Sequence, residues 1–224
     1  MEFIGKMWKG ITDTVGKVKD VMNGGIGKLT NRFMPFLKKL PQIGSYVRSM
    51  EPSDVKYALM CQESYKPPNQ RNNIAGYTHS EDTDERCIYS NNTERVLVIR
   101  GTETRDNYND IGTDISIMLG REEETARFNN DLEFARTANI DKLTGHSLGA
   151  TIASYISSQL NKPCIIFAPG SGKTQLQNLF RSTKPSLIRA YKVEGDPVSY
   201  LWNTGDVRLI PQKGDNPHTI SNFT

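Results

Sequence analysis

The stretch from Ile140 to Leu160, IDKLTGHSLGATIASYISSQL, constrains the fold more than any other part of the chain. A short β-type run is followed by Gly-His-Ser-Leu-Gly, and then by apolar residues that recur every four positions, which is helical spacing. A strand, a tight turn and a helix are therefore expected to meet at Ser147. This is the context of a nucleophile elbow, in which flanking glycines lie where a Cβ would collide with neighbouring backbone.

The elbow predicts a chemical role for two adjacent residues. Gly-x-Ser-x-Gly alone arises often by chance, and the competing interpretation is a serine in an ordinary βα loop. The strand before the motif and the helix after it favour Ser147 as a nucleophile. The amide of Leu148 then lies at a helix N-terminus, where it can donate a hydrogen bond to an oxyanion.

A serine nucleophile at an elbow of this kind works with a carboxylate and a histidine that follow it in the chain. Of the three histidines, His79 precedes the serine in a polar, turn-like stretch. His146 adjoins the serine, and its side chain is expected to point away from the nucleophile's pocket. This elimination leaves His218 as the predicted general base.

Three aspartates compete for the place of the carboxylate. Asp196 follows an apolar run at 190–193, and side chains that follow a parallel strand collect at the edge where α/β proteins bind ligands. Asp206 introduces the next strand and is expected at the opposite edge of the sheet, and Asp215 is expected to be exposed. Asp196 is therefore preferred, with Asp215 as the second choice.

Composition limits the class of protein. The chain has 224 residues, of which 36% are apolar, and has no apolar run long enough to span a bilayer. Three widely spaced cysteines indicate neither a disulfide framework nor a zinc site, so no metal and no cofactor is expected. With no secretory signal pattern at the N-terminus, we expect an intracellular, cytoplasmic or virion-associated protein in a reducing compartment.

The first 40 residues differ in charge from the rest of the chain. They hold eight lysines and arginines against three acids, and apolar residues recur every three or four positions between 4 and 22. One interpretation is an amphipathic helix that lies at an anionic lipid surface, peripheral to the membrane. The other is a helix that packs on its own domain or on a partner protein. No nucleic-acid partner is expected, because no binding motif accompanies the lysines.

A second motif precedes the elbow. An apolar, β-branched run at 96–100 ends in Arg100-Gly101-Thr102-Glu103. Together with Gly-His-Ser-Leu-Gly, this motif resembles the fungal-lipase-like (class 3) lipase family of α/β-hydrolases. The resemblance implies a compact α/β-hydrolase with a mostly parallel central sheet flanked by helices. It also implies that Thr102 supplies the second half of the oxyanion hole.

The resemblance extends to the C-terminal half of the chain. Asp-Pro-Val at 196–198 and the loop around His218 are similar to the segments that carry the acid and the base in that family, and Asp114 resembles a structural aspartate. The family's His-x-Gly-Phe is replaced by Ala-Arg-Phe at 126–128, so any lid is expected to be short or differently built. Further elements are expected as a helix through Tyr65, strands near 74–78, 86–90, 164–168, 190–193 and 207–210, and a helix at 131–138.

The sequence thus predicts an N-terminal helical extension and connector at 1–45 and a catalytic domain at 46–224. The expected function is a serine esterase or lipase that hydrolyses acyl esters of lipids, either acylglycerols or phospholipids. An arm that binds membranes would suit local membrane disruption, for example during entry of a virus. The alternative is a membrane-active or virion-structural protein whose hydrolase domain is secondary or inactive.

Overall fold

The computed structural model describes residues 46–47, 49–80, 83–102, 122–170, 187–196, 198–200 and 202–224. The predicted N-terminal extension at 1–45 lies outside these residues. No helix in the described part of the chain is long and apolar enough to cross a bilayer. The strands are β1 (Tyr46–Val47), β2 (Thr78–Ser80), β3 (Arg86–Ser90), β4 (Arg95–Ile99), β5 (Lys142–His146), β6 (Cys164–Phe167), β7 (Ile188–Val193) and β8 (Asp206–Ile210). The helices are α1 (Val55–Ser64), α2 (Glu122–Thr137) and α3 (Leu148–Leu160), with short 3-10 turns at Pro52–Asp54, Pro68–Gln70 and Ile220–Phe223.

The strands form one sheet in the order β1-β8-β7-β6-β5-β4-β3-β2. The neighbours from β1 to β4 in this order are parallel, whereas β3 pairs antiparallel with both β4 and β2. Parallel strands need crossover connections, and helices in those connections cover the sheet. The predicted α/β fold with a mostly parallel sheet flanked by helices is confirmed.

Alternating side chains of the central strands serve two hydrophobic layers. In β4, Leu97 and Ile99 face one layer with Leu132 of α2 and Ile152 of α3. The other layer joins the opposite faces of β4, β6 and β7 to α1 and to Phe223 near the C-terminus. Because both faces are covered, the strands are apolar runs with little polar alternation, as expected for a buried parallel sheet.

Several element boundaries differ from those predicted. Helix α2 begins at Glu122, nine residues before the predicted start, because Glu122–Glu124 is a favourable first turn that lacks an apolar signal. Strand β2 occupies Thr78–Ser80 rather than 74–78, where Ile74 and Tyr77 form only an isolated bridge. His79 therefore lies in an edge strand rather than in a turn.

Candidate active site

The elbow places Ser147 between the end of β5 and the start of α3. Ser147 has φ 59° and ψ −126°, a strained conformation that projects its side chain from the sheet edge. A Cβ on Gly145 would lie 2.4 Å from the carbonyl oxygen of Gly149, and one on Gly149 would lie 2.1 Å from that of Ile99. Only glycine fits at either position, so the motif's spacing is a packing requirement.

The structure brings the three predicted side chains together in one hydrogen-bonded chain. His218 Nε2 lies 2.9 Å from Ser147 Oγ. On the other side of the ring, His218 Nδ1 lies 3.2 Å and 3.0 Å from the two carboxylate oxygens of Asp196. An ionised carboxylate only accepts, so Nδ1 carries the proton and Nε2 of the neutral ring is free to accept the hydroxyl proton of Ser147.

Two further donors fix the orientation of the Asp196 carboxylate. The Val198 amide donates to Oδ1 at 2.9 Å and the Ser199 hydroxyl donates to Oδ2 at 2.5 Å. Asp196 is fully buried, and these bonds compensate for the water that the carboxylate loses. The turn after β7 therefore holds the buried Asp196 carboxylate in place independently of His218.

The loop that carries His218 is held by two asparagines. Asn216 Oδ1 accepts from the His218 amide at 2.9 Å. Asn222 Nδ2 donates to the carbonyl oxygens of Asn216 at 2.8 Å and Thr219 at 3.0 Å. These bonds give the loop a defined shape without regular secondary structure, and the imidazole does not depend on its bond to Ser147 for its position.

The segments that carry the two predicted oxyanion-hole residues, Thr102 and Leu148, both reach Ser147. Leu148 is the first residue of α3, so its amide is one of those at a helix N-terminus that have no intrahelical acceptor. The other loop leaves β4 at Gly101, where an added Cβ would lie 3.1 Å from Ser147 Cβ. Thr102 follows directly, so both segments meet at the nucleophile.

Comparison with known proteins gives the family. A family model described as a Tle-like phospholipase domain matches residues 63–217, which is more than half of the chain. The chain belongs to this phospholipase-like family. The match supports a lipase or phospholipase family and a lipid-ester hydrolase, but not specifically the fungal-lipase-like (class 3) family that the motifs resemble. No curated protein matches the chain significantly.

Among the remaining sequence candidates in this phospholipase-like domain, Asp206 lies away from Ser147. Asp206 opens β8 and pairs with Arg208 at 3.0 Å and Arg189 at 3.5 Å, at the opposite end of the parallel strands from Ser147. Asp215 is exposed. Asp114 lies outside the described residues. Within the described part of the chain, no group of three or more His, Cys, Asp or Glu is placed to hold a metal ion.

The sequence predicts that His146 points away from the site, and this prediction is wrong. Its ring centroid lies 5.2 Å from that of His218, and its Nε2 lies 2.8 Å from the His218 carbonyl oxygen. Burial, with a smaller contribution from His218, lowers the pKa of His146 to about 3, so the ring is neutral near pH 7. A neutral ring matters here, because a second cation beside His218 would oppose any positive charge on the His218 ring.

Lys192, on β7, is a titratable group near the site that sequence reasoning missed. It is fully buried, and its ammonium donates to the carbonyl oxygens of Tyr200 at 2.9 Å and Trp202 at 3.1 Å. Burial lowers the pKa of Lys192 to about 8, although the negative charge of Asp196 opposes this shift. The hydrogen bonds from Lys192 therefore stabilise the turn that carries Ser199. The sequence signal that could have identified Lys192 is the presence of a lysine inside an otherwise largely apolar strand.

Replacing Lys192 with methionine should remove a pH-dependent part of the stability. Between the folded pKa of about 8 and the ordinary 10.5, the unfolded chain binds more protons, so the free energy of unfolding rises with pH. The stability that depends on Lys192 is fully present above pH 10.5, and it is lost as the pH falls through about 8. In urea unfolding at about pH 7 and about pH 9.5, the wild type should gain about 2 kcal/mol relative to the variant.

The matched control is Lys213→Met, which changes an exposed lysine in the same way. Its stability difference from the wild type should stay constant between the two pH values. A constant difference for Lys192→Met as well would mean that this ammonium does not titrate in the window.

Proposed function

We propose that the chain hydrolyses acyl ester bonds of phospholipids, with Ser147 as nucleophile, His218 as general base and Asp196 as the orienting carboxylate. The observation that carries the proposal is the unbroken hydrogen-bonded chain from Asp196 through His218 to Ser147. The family match supports phospholipids as the substrate class, because the matching model is described as a phospholipase domain. The elbow supplies the geometry that this nucleophile requires.

In the first half-reaction, Ser147 Oγ attacks the ester carbonyl carbon while its proton moves to His218 Nε2. The carbonyl π electrons move to the oxygen, and the resulting oxyanion accepts hydrogen bonds from the amides of Thr102 and Leu148. The carbon–oxygen bond to the leaving alcohol then breaks. His218 returns its proton to that alcohol, which for a diacyl phospholipid is a lysophospholipid.

In the second half-reaction, water attacks the acyl-serine and gives a proton to His218 Nε2. The bond between the acyl carbon and Ser147 Oγ breaks, the serine regains its proton, and a fatty acid leaves. Asp196 stays ionised throughout and stabilises the positive ring that exists in both tetrahedral intermediates. The bonds that its carboxylate accepts from Val198 and Ser199 keep it aligned during both steps.

The basic N-terminal segment supports one further part of the proposal, namely that hydrolysis takes place at an anionic lipid surface. The residues at 1–40 combine a local net charge of +5 with apolar side chains at helical spacing. Such a segment binds anionic headgroups through its lysines and acyl chains through its apolar side.

A fluorophosphonate probe tests the nucleophile and a lipid panel tests the substrate. The probe should form one adduct, which mass spectrometry of a digest should locate at Ser147. Vesicles of phosphatidylglycerol should yield fatty acid and lysophospholipid faster than vesicles of phosphatidylcholine, and both faster than a triacylglycerol emulsion. Absence of labelling at Ser147 would overturn the catalytic assignment. Labelling with faster hydrolysis of triacylglycerol would keep the enzyme class and replace the substrate.

A further inference from the structure

Tyr65 and His146 connect the two loops that meet at Ser147. Tyr65, the residue after α1, places its hydroxyl 2.8 Å from His146 Nδ1. The opposite nitrogen of that ring, Nε2, lies 2.8 Å from the His218 carbonyl oxygen. The same Tyr65 hydroxyl lies against Gly101, in the space that a Cβ on that residue would need. Hydrogen bonds therefore run from a side chain that contacts the oxyanion loop to the backbone of the predicted general base.

The His218 end of this hydrogen-bonded chain fixes its direction. The His218 carbonyl oxygen can only accept. His146 Nε2 must therefore carry the proton, which leaves Nδ1 of the neutral ring as an acceptor for the Tyr65 hydroxyl. Each group then donates to the next, in the direction Tyr65, His146, His218. The direction agrees with the low pKa of His146, whose ring stays neutral.

The contacts around Gly101 show how closely the phenol approaches the oxyanion loop. A Cβ on Gly101 would lie 2.3 Å from Tyr65 Oη and 2.6 Å from the His146 carbonyl oxygen. The Tyr65 and His146 rings also meet edge to face, with centroids 5.7 Å apart. Gly101, directly before Thr102, thus packs against both the Tyr65 hydroxyl and the elbow.

We propose that Tyr65 and His146 are positioning residues that hold the oxyanion loop and the His218 loop in register for acyl transfer at Ser147. The inference rests on the proposed function, because it assigns these residues to the same reaction. Neither side chain touches the substrate in this assignment. Each acts by fixing the backbone that carries an oxyanion donor or the general base, and small errors of alignment between such groups slow a reaction strongly.

Replacing Tyr65 with phenylalanine tests the proposal with little change of shape. The variant leaves His146 Nδ1 without its donor and removes the hydroxyl that lies against Gly101. We expect kcat to fall about 10- to 100-fold with KM changed less than about twofold, because alignment in the transition state is lost while substrate contacts remain. The rate constant of fluorophosphonate labelling at Ser147 should fall by a similar factor.

Tyr57→Phe is the matched control. Tyr57 lies on α1, and its hydroxyl bonds to Glu94 at 3.0 Å and to Lys142 at 2.7 Å, at the end of the sheet away from Ser147. The control should lose stability, measured as Tm, but keep both kcat and the labelling rate. A purely structural role for the Tyr65 hydroxyl would give the same result in Tyr65→Phe, and that result would overturn the proposal.

Variants at His146 separate hydrogen bonding from packing. His146→Gln can still donate an amide N–H to the His218 carbonyl oxygen, whereas His146→Leu cannot. We therefore expect His146→Gln to recover part of the rate that His146→Leu loses. Adding Tyr65→Phe to His146→Leu should cost less than about twofold more, because the chain is already broken. Fully additive losses would show that the two residues act independently.

The labelling assay keeps this inference distinct from the proposed function. If the wild type is not labelled at Ser147, the proposed function fails. If the wild type is labelled and Tyr65→Phe reacts at the wild-type rate, the enzyme assignment stands and the positioning role is wrong. A slower Tyr65→Phe that has the Tm of Tyr57→Phe is the result expected from the hydrogen-bonded chain.

Discussion

Replacing Ser147 with alanine should lower kcat by about four to six powers of ten and leave the fold intact. Ser147 Oγ is the atom that would form the acyl-enzyme, and no other hydroxyl among the described residues is bonded to His218 Nε2. Alanine tolerates the backbone at φ 59° as well as serine does, since both carry a Cβ. Fatty-acid release from phosphatidylglycerol vesicles measures the loss.

Ser154→Ala is the matched control, because Ser154 is a buried serine on the same helix whose hydroxyl donates to the Thr151 carbonyl oxygen at 2.8 Å. Its activity should stay within about twofold of the wild type, and its Tm should fall at least as much as that of Ser147→Ala. Retention of more than about a tenth of the activity by Ser147→Ala would exclude covalent catalysis at this residue.

Local sequence patterns were sufficient for the elbow and for most of the sheet. The five residues of the motif specify the turn because Gly145 and Gly149 have no room for a Cβ. The spacing of the two glycines in the sequence therefore indicates the backbone geometry of the turn. The buried run that forms β4 is apolar on both faces, and such runs are visible without knowledge of their neighbours. The order of serine, acid and base is also a property of the chain itself.

The contacts between distant segments were not predictable in this way. Tyr65 and His146 are 81 positions apart, and nothing in either local pattern indicates that they share a hydrogen bond. The sequence predicts that His146 points away from the pocket because it lies beside Ser147 in the elbow, and strand alternation would place such neighbours on opposite sides. The elbow departs from an extended strand at Ser147, so alternation does not determine where the preceding ring lies.

The start of α2 shows a different limit of the sequence. Hydrophobic periodicity identified Phe128, Leu132 and Ala135, and Phe128 and Leu132 pack in the layer formed with α3. The first turn of α2, Glu122–Glu124, has no apolar residue and therefore gives no periodic signal. Helix propensity and the helix dipole favour glutamate there, but both effects are weaker than burial and are easily missed.

Replacing Asp196 with asparagine should lower kcat by about four powers of ten while the shape of the site is preserved. The carboxylate is the acceptor that keeps the proton on His218 Nδ1, at 3.0 Å and 3.2 Å from its two oxygens. An amide of the same size carries one donor group in place of one acceptor. The loss should appear in kcat and in fluorophosphonate labelling, with Tm little changed.

The Val198 amide determines which way the asparagine turns. It donates to Oδ1 of Asp196, so the oxygen of the new side chain must stay at that position and the NH₂ group must take the place of Oδ2. Ser199 adapts, because a hydroxyl can accept as well as donate. The NH₂ group then donates to His218 Nδ1 and moves the ring proton to Nε2. In that tautomer the ring cannot accept the proton of Ser147.

Asp206→Asn and Asp215→Asn discriminate between this explanation and the two rival carboxylates. Asp206 pairs with Arg208 and Arg189 at the start of β8, so its variant should lose stability without loss of kcat. Asp215 is exposed near His218 in sequence, and its variant should retain activity within about twofold. Loss of activity in Asp215→Asn together with an active Asp196→Asn would transfer the orienting role to Asp215. Because the three variants make the same chemical change, only the position of the carboxylate relative to the imidazole separates their expected rates.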